Sequence, residues 1–177
     1  MNQESNPSPI RLNLGCYKDI RPGYINADLL GGDVQCDLRK FPWPWPDNFA
    51  DEILMWHVLE HLPDTYATMS EIKRILKPGG RFVGQVPHCY SQLAFGCAQH
   101  YHYFSEKTFV GIASDFDMEI VVAKPGVHTL TLNHRLRNLI PFRNFFGLFL
   151  LNMWDVVDFE MRKRLLETRP AKFDGAT

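Results

Sequence analysis

Glycine, carboxylate and imidazole groups recur at the ends of short apolar runs in this chain. Gly15 and Cys16 follow RLNL, Asp28 closes YINAD, Asp37 follows DVQC, Trp56 and His57 close EILMWH, and His88 follows FVGQVP. A glycine after a strand lets backbone approach a ligand closely, and a carboxylate accepts hydrogen bonds from two vicinal hydroxyls. Two acids and a glycine turn on successive strand ends therefore suit a ligand that carries a ribose and an adenine. No G-x-G-x-x-G follows the first run, because Cys16 and Tyr17 stand there. That absence counts against a nicotinamide dinucleotide.

A second group is denser: His88, Cys89, Cys97, His100 and His102. Imidazole titrates near working pH, so His88, His100 and His102 are candidate general bases, each weighed against a polar loop of satisfied histidines. The group lacks the paired CxxC spacing of a zinc site. His57 and His61, with Glu60 between them, fall on one helical face without a third ligand at a convincing spacing. No metal is expected.

These residues need elements to position them. Strands are predicted near 10–14, 24–28, 33–36, 51–56, 80–86 and 117–123. EILMW and FVGQV are apolar without alternation, as parallel strands covered on both faces should be. Tyr66, Met69, Ile72, Ile75 and Leu76 recur at helical spacing until Lys77-Pro-Gly-Gly80 stops the helix. A second helix begins at Ser105 as N-cap. FPWPWPDNF, residues 41–49, is too proline-rich for a central strand or helix. It reads as a stiff loop packing Trp43 and Trp45 on the rim of the core, or as an aromatic wall beside a ligand. Alternating βαβ units imply an open, mostly parallel α/β sheet flanked by helices. From about Leu130 the chain reads as two helices broken near Pro141, the second apolar on nearly all sides from Phe145 to Val157. The expected organisation is a disordered polar tail at 1–9, one domain over 10–130 and a helical extension over 131–177. That extension packs on the domain, pairs two copies in a homodimer, or, less readily, touches a membrane surface.

A chain of 177 residues with 45% hydrophobic content fits one soluble domain with a sizeable core. Its net charge of −1 gives no general attraction for nucleic acid. From Lys124 onward, nine basic and five acidic residues leave the remainder acidic. The polar, proline-broken N-terminus resembles no signal peptide, and four cysteines then fit free thiols in a reducing cytoplasm.

The order of these features resembles class I S-adenosylmethionine-dependent methyltransferases of the type 11 small-molecule kind. The resemblance rests on LNLGC (12–16), YINADL (24–29), the stretch 33–49, DEILMWHVLEHL (51–62), EIKRILKPGGRF (71–82) and HYFSEKTF (102–109). It implies a Rossmann-like fold, S-adenosyl-L-methionine as cofactor, and methyl transfer to a small-molecule or glycan-type acceptor. By that resemblance Gly15, with Leu14 and Cys16, would face the methionine moiety. Asp28, with Leu29 beside it, would bind the ribose hydroxyls, and Asp37 with Leu38 would address the adenine. Trp56 and His57 would floor the pocket near the sulfonium, and the histidine loop would cover the acceptor. Two departures stand out. Asp28 comes only thirteen residues after Gly15, so the first crossover has room for a short loop or a single helical turn. Tyr17 occupies a usual glycine position and is expected to crowd the methionine end. The alternative reading is a non-catalytic partner subunit with a degenerate cofactor loop.

Overall fold

The computed structural model describes residues 8–126 and 154–165. Seven strands form one sheet in the order β3-β2-β1-β4-β5-β7-β6. They are β1 (Arg11–Leu14), β2 (Ile25–Asp28), β3 (Val34–Gln35), β4 (Ala50–Trp56), β5 (Leu76–Pro87), β6 (Met118–Gly126) and β7 (Val156–Lys163). The first five run parallel, whereas β7 is antiparallel to both β5 and β6. Strand order reverses between β1 and β4, so their carboxyl ends open a crevice where ligands collect in sheets of this kind. This is the Rossmann-like sheet expected from the sequence.

Helix α1 (Thr65–Ile75) starts where Asp64 accepts the Ala67 N–H at 2.8 Å. Its buried face carries Met69, Ile72 and Ile75. The Lys-Pro-Gly-Gly turn does stop the helix, with Gly79 at φ +80°, and it forms an irregularity at the head of β5. A short helix, α2 (Gln92–Phe95), follows β5. Helix α3 (Glu106–Asp115) begins at Ser105, whose N–H donates to Thr108 Oγ1 at 3.1 Å, and it packs on β6 and β7.

Trp43 and Trp45 are both buried core residues, as the packing alternative predicts. Arg74 on α1 ties their loop down. Its guanidinium donates to the carbonyls of Trp45 (2.8 Å) and Trp43 (3.2 Å), to both oxygens of Glu71 (2.8 and 2.7 Å) and to Asp47. The Trp43 N–H completes the clamp by donating to Glu71 Oε2 at 2.7 Å.

The C-terminal helix is corrected where the described residues reach it. Val156–Lys163 is a strand inside the sheet, so the sheet domain extends past the boundary expected at 130. Val157, Phe159 and Met161 are buried while Asp158, Glu160 and Arg162 alternate with them, a period of two. The largely apolar stretch before Val156, interrupted by Asn152 and Asp155, masks that alternation in the sequence. Phe159 stacks on Phe109, 4.1 Å between centroids, and meets Phe82 edge to face at 4.9 Å. Trp154, Val156 and Val157 are likewise buried. The expectations for residues 1–7, the break at Pro141 and the apolar run from Phe145 to Met153 lie outside the described residues. Among the described residues, no helix is long and apolar enough to cross a membrane.

Candidate cofactor site

The turn after β1 is built on a glycine for a steric reason. Gly15 has φ +71°, and a Cβ there would lie 2.5 Å from Val58 Cγ2. Its N–H and that of Cys16 both donate to the Ala27 carbonyl, at 2.8 and 3.1 Å, which holds the turn against β2. Gly15→Ala is therefore expected to cost at least about 1–2 kcal/mol from the left-handed backbone alone. Val58→Ala should recover only the steric remainder, a partition that chemical denaturation of the two single variants and the double variant measures.

From Gly15 to Tyr24 the chain makes turns and no helix, in agreement with the short crossover. A buried amide pair fixes the connection. Asn13 Nδ2 donates to the Asp19 carbonyl at 2.7 Å and to Asn26 Oδ1 at 3.0 Å. Asn26 Oδ1 also accepts the Arg21 N–H, and Asn26 Nδ2 donates to the carbonyls of Arg21 and Tyr24 and to Asp33 Oδ2. The Asn26 backbone and side-chain N–H groups lower the Asp33 carboxyl below its ordinary value. Asn13, Asn26 and Asp33 were not singled out from the sequence. Two buried asparagines on adjacent apolar strands were the available signal, since buried amides require partners.

Asp28 ends β2 facing this turn. Its Oδ2 accepts the Tyr17 N–H at 2.9 Å and its Oδ1 the Leu30 N–H at 3.3 Å. Two backbone donors thus orient the carboxylate and leave each oxygen a further lone pair. Tyr17 reaches this position in the left-handed region, at φ +44°, while its ring is 72% exposed with Lys18 Nζ 5.3 Å from the centroid. The backbone N–H, rather than the ring, touches the acid. Tyr17→Gly should relax the backbone and keep cofactor affinity within about threefold of the parent, because glycine supplies the same N–H. A larger loss in a binding titration would make the ring itself a contact.

Asp37 lies after β3 and is engaged by Arg39, whose Nε and backbone N–H reach Oδ1 and whose Nη2 reaches Oδ2. The Arg39 side-chain bonds hold the Asp37 carboxyl down at about 2. Leu38 is buried, and its carbonyl accepts the Trp43 indole N–H at 3.2 Å. Leu14 is fully buried, whereas Leu29 is exposed and its carbonyl accepts from Gln35.

Trp56, at the end of β4, is partly exposed beneath the Arg21 guanidinium, 5.5 Å from the ring centroid. His57 turns away at φ +54° into a buried polar chain. Its Nδ1 lies 3.3 Å from Glu60 Oε1 and its Nε2 lies 3.0 Å from Gln85 Oε1. Gln85 Nε2 donates to Asp158 Oδ1 at 2.6 Å, so the Gln85 oxygen faces the imidazole and His57 carries its proton on Nε2. His57 Nδ1 thereby faces Glu60, which is 1% exposed. The chain ties β4, β5 and β7 together under the strand ends, and its members Gln85 and Asp158 gave no sequence signal.

The candidate bases are placed differently from one another. His88 is 4% exposed; its Nδ1 accepts the Tyr90 N–H at 3.1 Å and its Nε2 lies 3.3 Å from Glu106. Both ring nitrogens are engaged inside the protein. His100 Nδ1 donates to the Ala94 carbonyl at 2.9 Å, and His102 Nε2 to that of Pro63 at 3.1 Å. A groove of about 560 Å³ runs between the start of α1 and α3, and His102 is the candidate base that lines it, with Asp64, Tyr66 and Lys107. None of the expected cofactor residues borders that groove.

The family model described as a methyltransferase domain matches residues 26–123. The chain belongs to the methyltransferase-domain family. A demethylmenaquinone methyltransferase of Symbiobacterium thermophilum is 45% identical over 40 residues, 23% of this chain and 16% of that protein, so the matched stretch is a small part of that relative. Among solved structures, an S-adenosylmethionine-dependent methyltransferase from Mesorhizobium loti superposes with a TM-score of 0.60 at 13% identity, over 88% of this chain and 91% of that one. The [4+2]-cyclase SpnF superposes with a TM-score of 0.58 at 14% identity, over 89% of this chain and 75% of that one. At such identities the likeness is one of fold, and the cyclase shows that the fold does not dictate a single reaction. In this member of the methyltransferase-domain family the Asn13–Asn26 network fixes the connection from β1 to β2 without a helix.

Proposed function

We propose that this protein binds S-adenosyl-L-methionine at the carboxyl ends of β1, β2 and β4 and transfers its methyl group to a small-molecule or glycan-type acceptor. The observation that carries the reading is the Asp28 carboxylate, pre-oriented by two backbone N–H groups beside a glycine turn at the switch point of the sheet. The residues present fit the cofactor. The Gly15 turn offers backbone without a Cβ, Asp28 keeps acceptor capacity for vicinal hydroxyls, and Asp37 with Leu38 borders the adenine end.

When bound, the cofactor supplies an electrophilic methyl group on a sulfonium. The chain's own task is positioning and exclusion of water. Asp28 would hold the ribose hydroxyls and the backbone of the Gly15 turn would face the methionine end, with Trp56 at the exit of β4. A hydroxyl or amine acceptor would also need its proton taken. His102, whose Nε2 donates to the Pro63 carbonyl and whose ring lines the groove at the start of α1, would take it only from an acceptor that reaches from that groove to the strand ends. His88 is enclosed and acts as a structural link to α3.

The test is incubation with methyl-labelled S-adenosylmethionine and panels of small hydroxy, amino, carboxylate and glycan acceptors. Label is expected to move to one class of acceptor with equimolar release of the demethylated cofactor. Cofactor binding without transfer to any class would favour the alternative, a non-catalytic module on the same fold.

A further inference from the structure

We propose that His61, Cys97 and His100 form a binding site for a zinc-class divalent cation, clasping the loop between α2 and α3 onto the end of the β4–α1 connection. One ligating atom from each of the three side chains lies within 4.8 Å of the others, and all three residues are half-buried. A tetrahedral ion with bonds of about 2.0–2.3 Å holds its ligand atoms roughly 3.3–3.7 Å apart. Side-chain rotation of about an ångström closes the set.

The protonation of the two rings supports ligation independently. His61 Nδ1 lies 3.2 Å from the Gln99 carbonyl oxygen, and His100 Nδ1 lies 2.9 Å from that of Ala94. A carbonyl only accepts, so both rings carry their hydrogen on Nδ1 and present a lone pair on Nε2. Metal-ligating histidines are oriented in this way, one nitrogen donating to a carbonyl while the other faces the ion. The rings stand edge to face with centroids 4.6 Å apart. Cys97 is a free thiol and completes a donor set of two nitrogens and one sulfur without a carboxylate. That set favours zinc and its borderline-soft neighbours and disfavours magnesium and calcium.

The surroundings already draw the two segments together. The Tyr101 N–H donates to the Glu60 carbonyl at 2.8 Å, and His102 reaches Pro63. Three protein ligands leave one position for water. On coordination the Cys97 sulfur gives its proton to solvent and binds as thiolate. Linear spacing hides the site, because His61 is 36 residues from Cys97 and belongs to another segment.

The test uses the full chain, stripped with a chelator and titrated with cobalt(II) and then zinc alone. Neither titration involves S-adenosylmethionine, so failure here leaves the cofactor reading standing. One cobalt ion per chain is expected, with a thiolate-to-cobalt charge-transfer band that zinc abolishes by displacement. Cys97→Ser should lose the band, and His61→Gln and His100→Gln should each weaken zinc binding at least about tenfold. Should the variants fold poorly, alkylation of the unmutated chain followed by peptide mass spectrometry answers the same question. Zinc should protect Cys97 and leave Cys89 reactive. Absence of the charge-transfer band, or equal alkylation of Cys97 with and without zinc, overturns the site.

Discussion

Asp28→Ala is expected to weaken S-adenosylmethionine binding by about ten- to a hundredfold, the equivalent of roughly 1.5–3 kcal/mol for a hydrogen-bonded charged group. The carboxylate does two jobs in the structure. It would accept the ribose hydroxyls, and it receives the Tyr17 and Leu30 N–H groups that shape the turn facing the ligand. Asp28→Asn separates these contributions, because it retains one acceptor oxygen but loses the charge. Its affinity should fall between parent and Asp28→Ala. Calorimetric titration of the three proteins reads the order directly, and parental affinity in Asp28→Ala would place the cofactor elsewhere.

Arg74→Ala should have the larger effect on the fold, about 3–5 kcal/mol, the usual result of breaking one half of a mostly buried ion pair. The substitution strips Glu71 of its partner and leaves the Trp43 and Trp45 carbonyls without their donor, while both indoles must stay buried. A pH dependence follows. Bonds from Arg74, with help from the Trp43 N–H, hold the Glu71 carboxyl below its ordinary value. A depressed acid contributes stability that is present above its unfolded value, near 4.5, and is lost as pH falls through the lower folded value. Denaturation midpoints from pH 7 down to pH 3 should therefore fall less steeply in Arg74→Ala than in the parent. Equal slopes would show that the pair makes no net contribution.

Much of the frame was legible in the chain because its signals are local. The runs at 51–56 and 80–86 are mostly apolar without clean alternation and became central strands, and Ser105 marked the start of α3 as a capping residue should. The short gap between Gly15 and Asp28 left room for a short loop or a single helical turn, and the loop is what forms. What holds that loop was not legible, since the Asn13–Asn26 pairing depends on two strands lying side by side. The same holds for β7. Its alternation sits behind an apolar stretch of helical appearance, and its place between β5 and β6 is a matter of topology that no window of sequence contains. His57 and His61 illustrate the converse. Their spacing suggested a shared face, yet the left-handed backbone at His57 sends its ring toward Gln85, while His61 turns to Gln99 and His100.

The most direct measurement on the central claim is a calorimetric titration of the intact chain with S-adenosylmethionine, its demethylated product and NAD in parallel. One site per chain is expected for the first two ligands, with dissociation constants in the range of about 1 μM to 1 mM typical of enzyme ligands. NAD should give no saturable heat, because nothing after β1 cradles a pyrophosphate in the G-x-G-x-x-G manner. Saturable binding of NAD, or none of either methionine-derived ligand, would contradict the account.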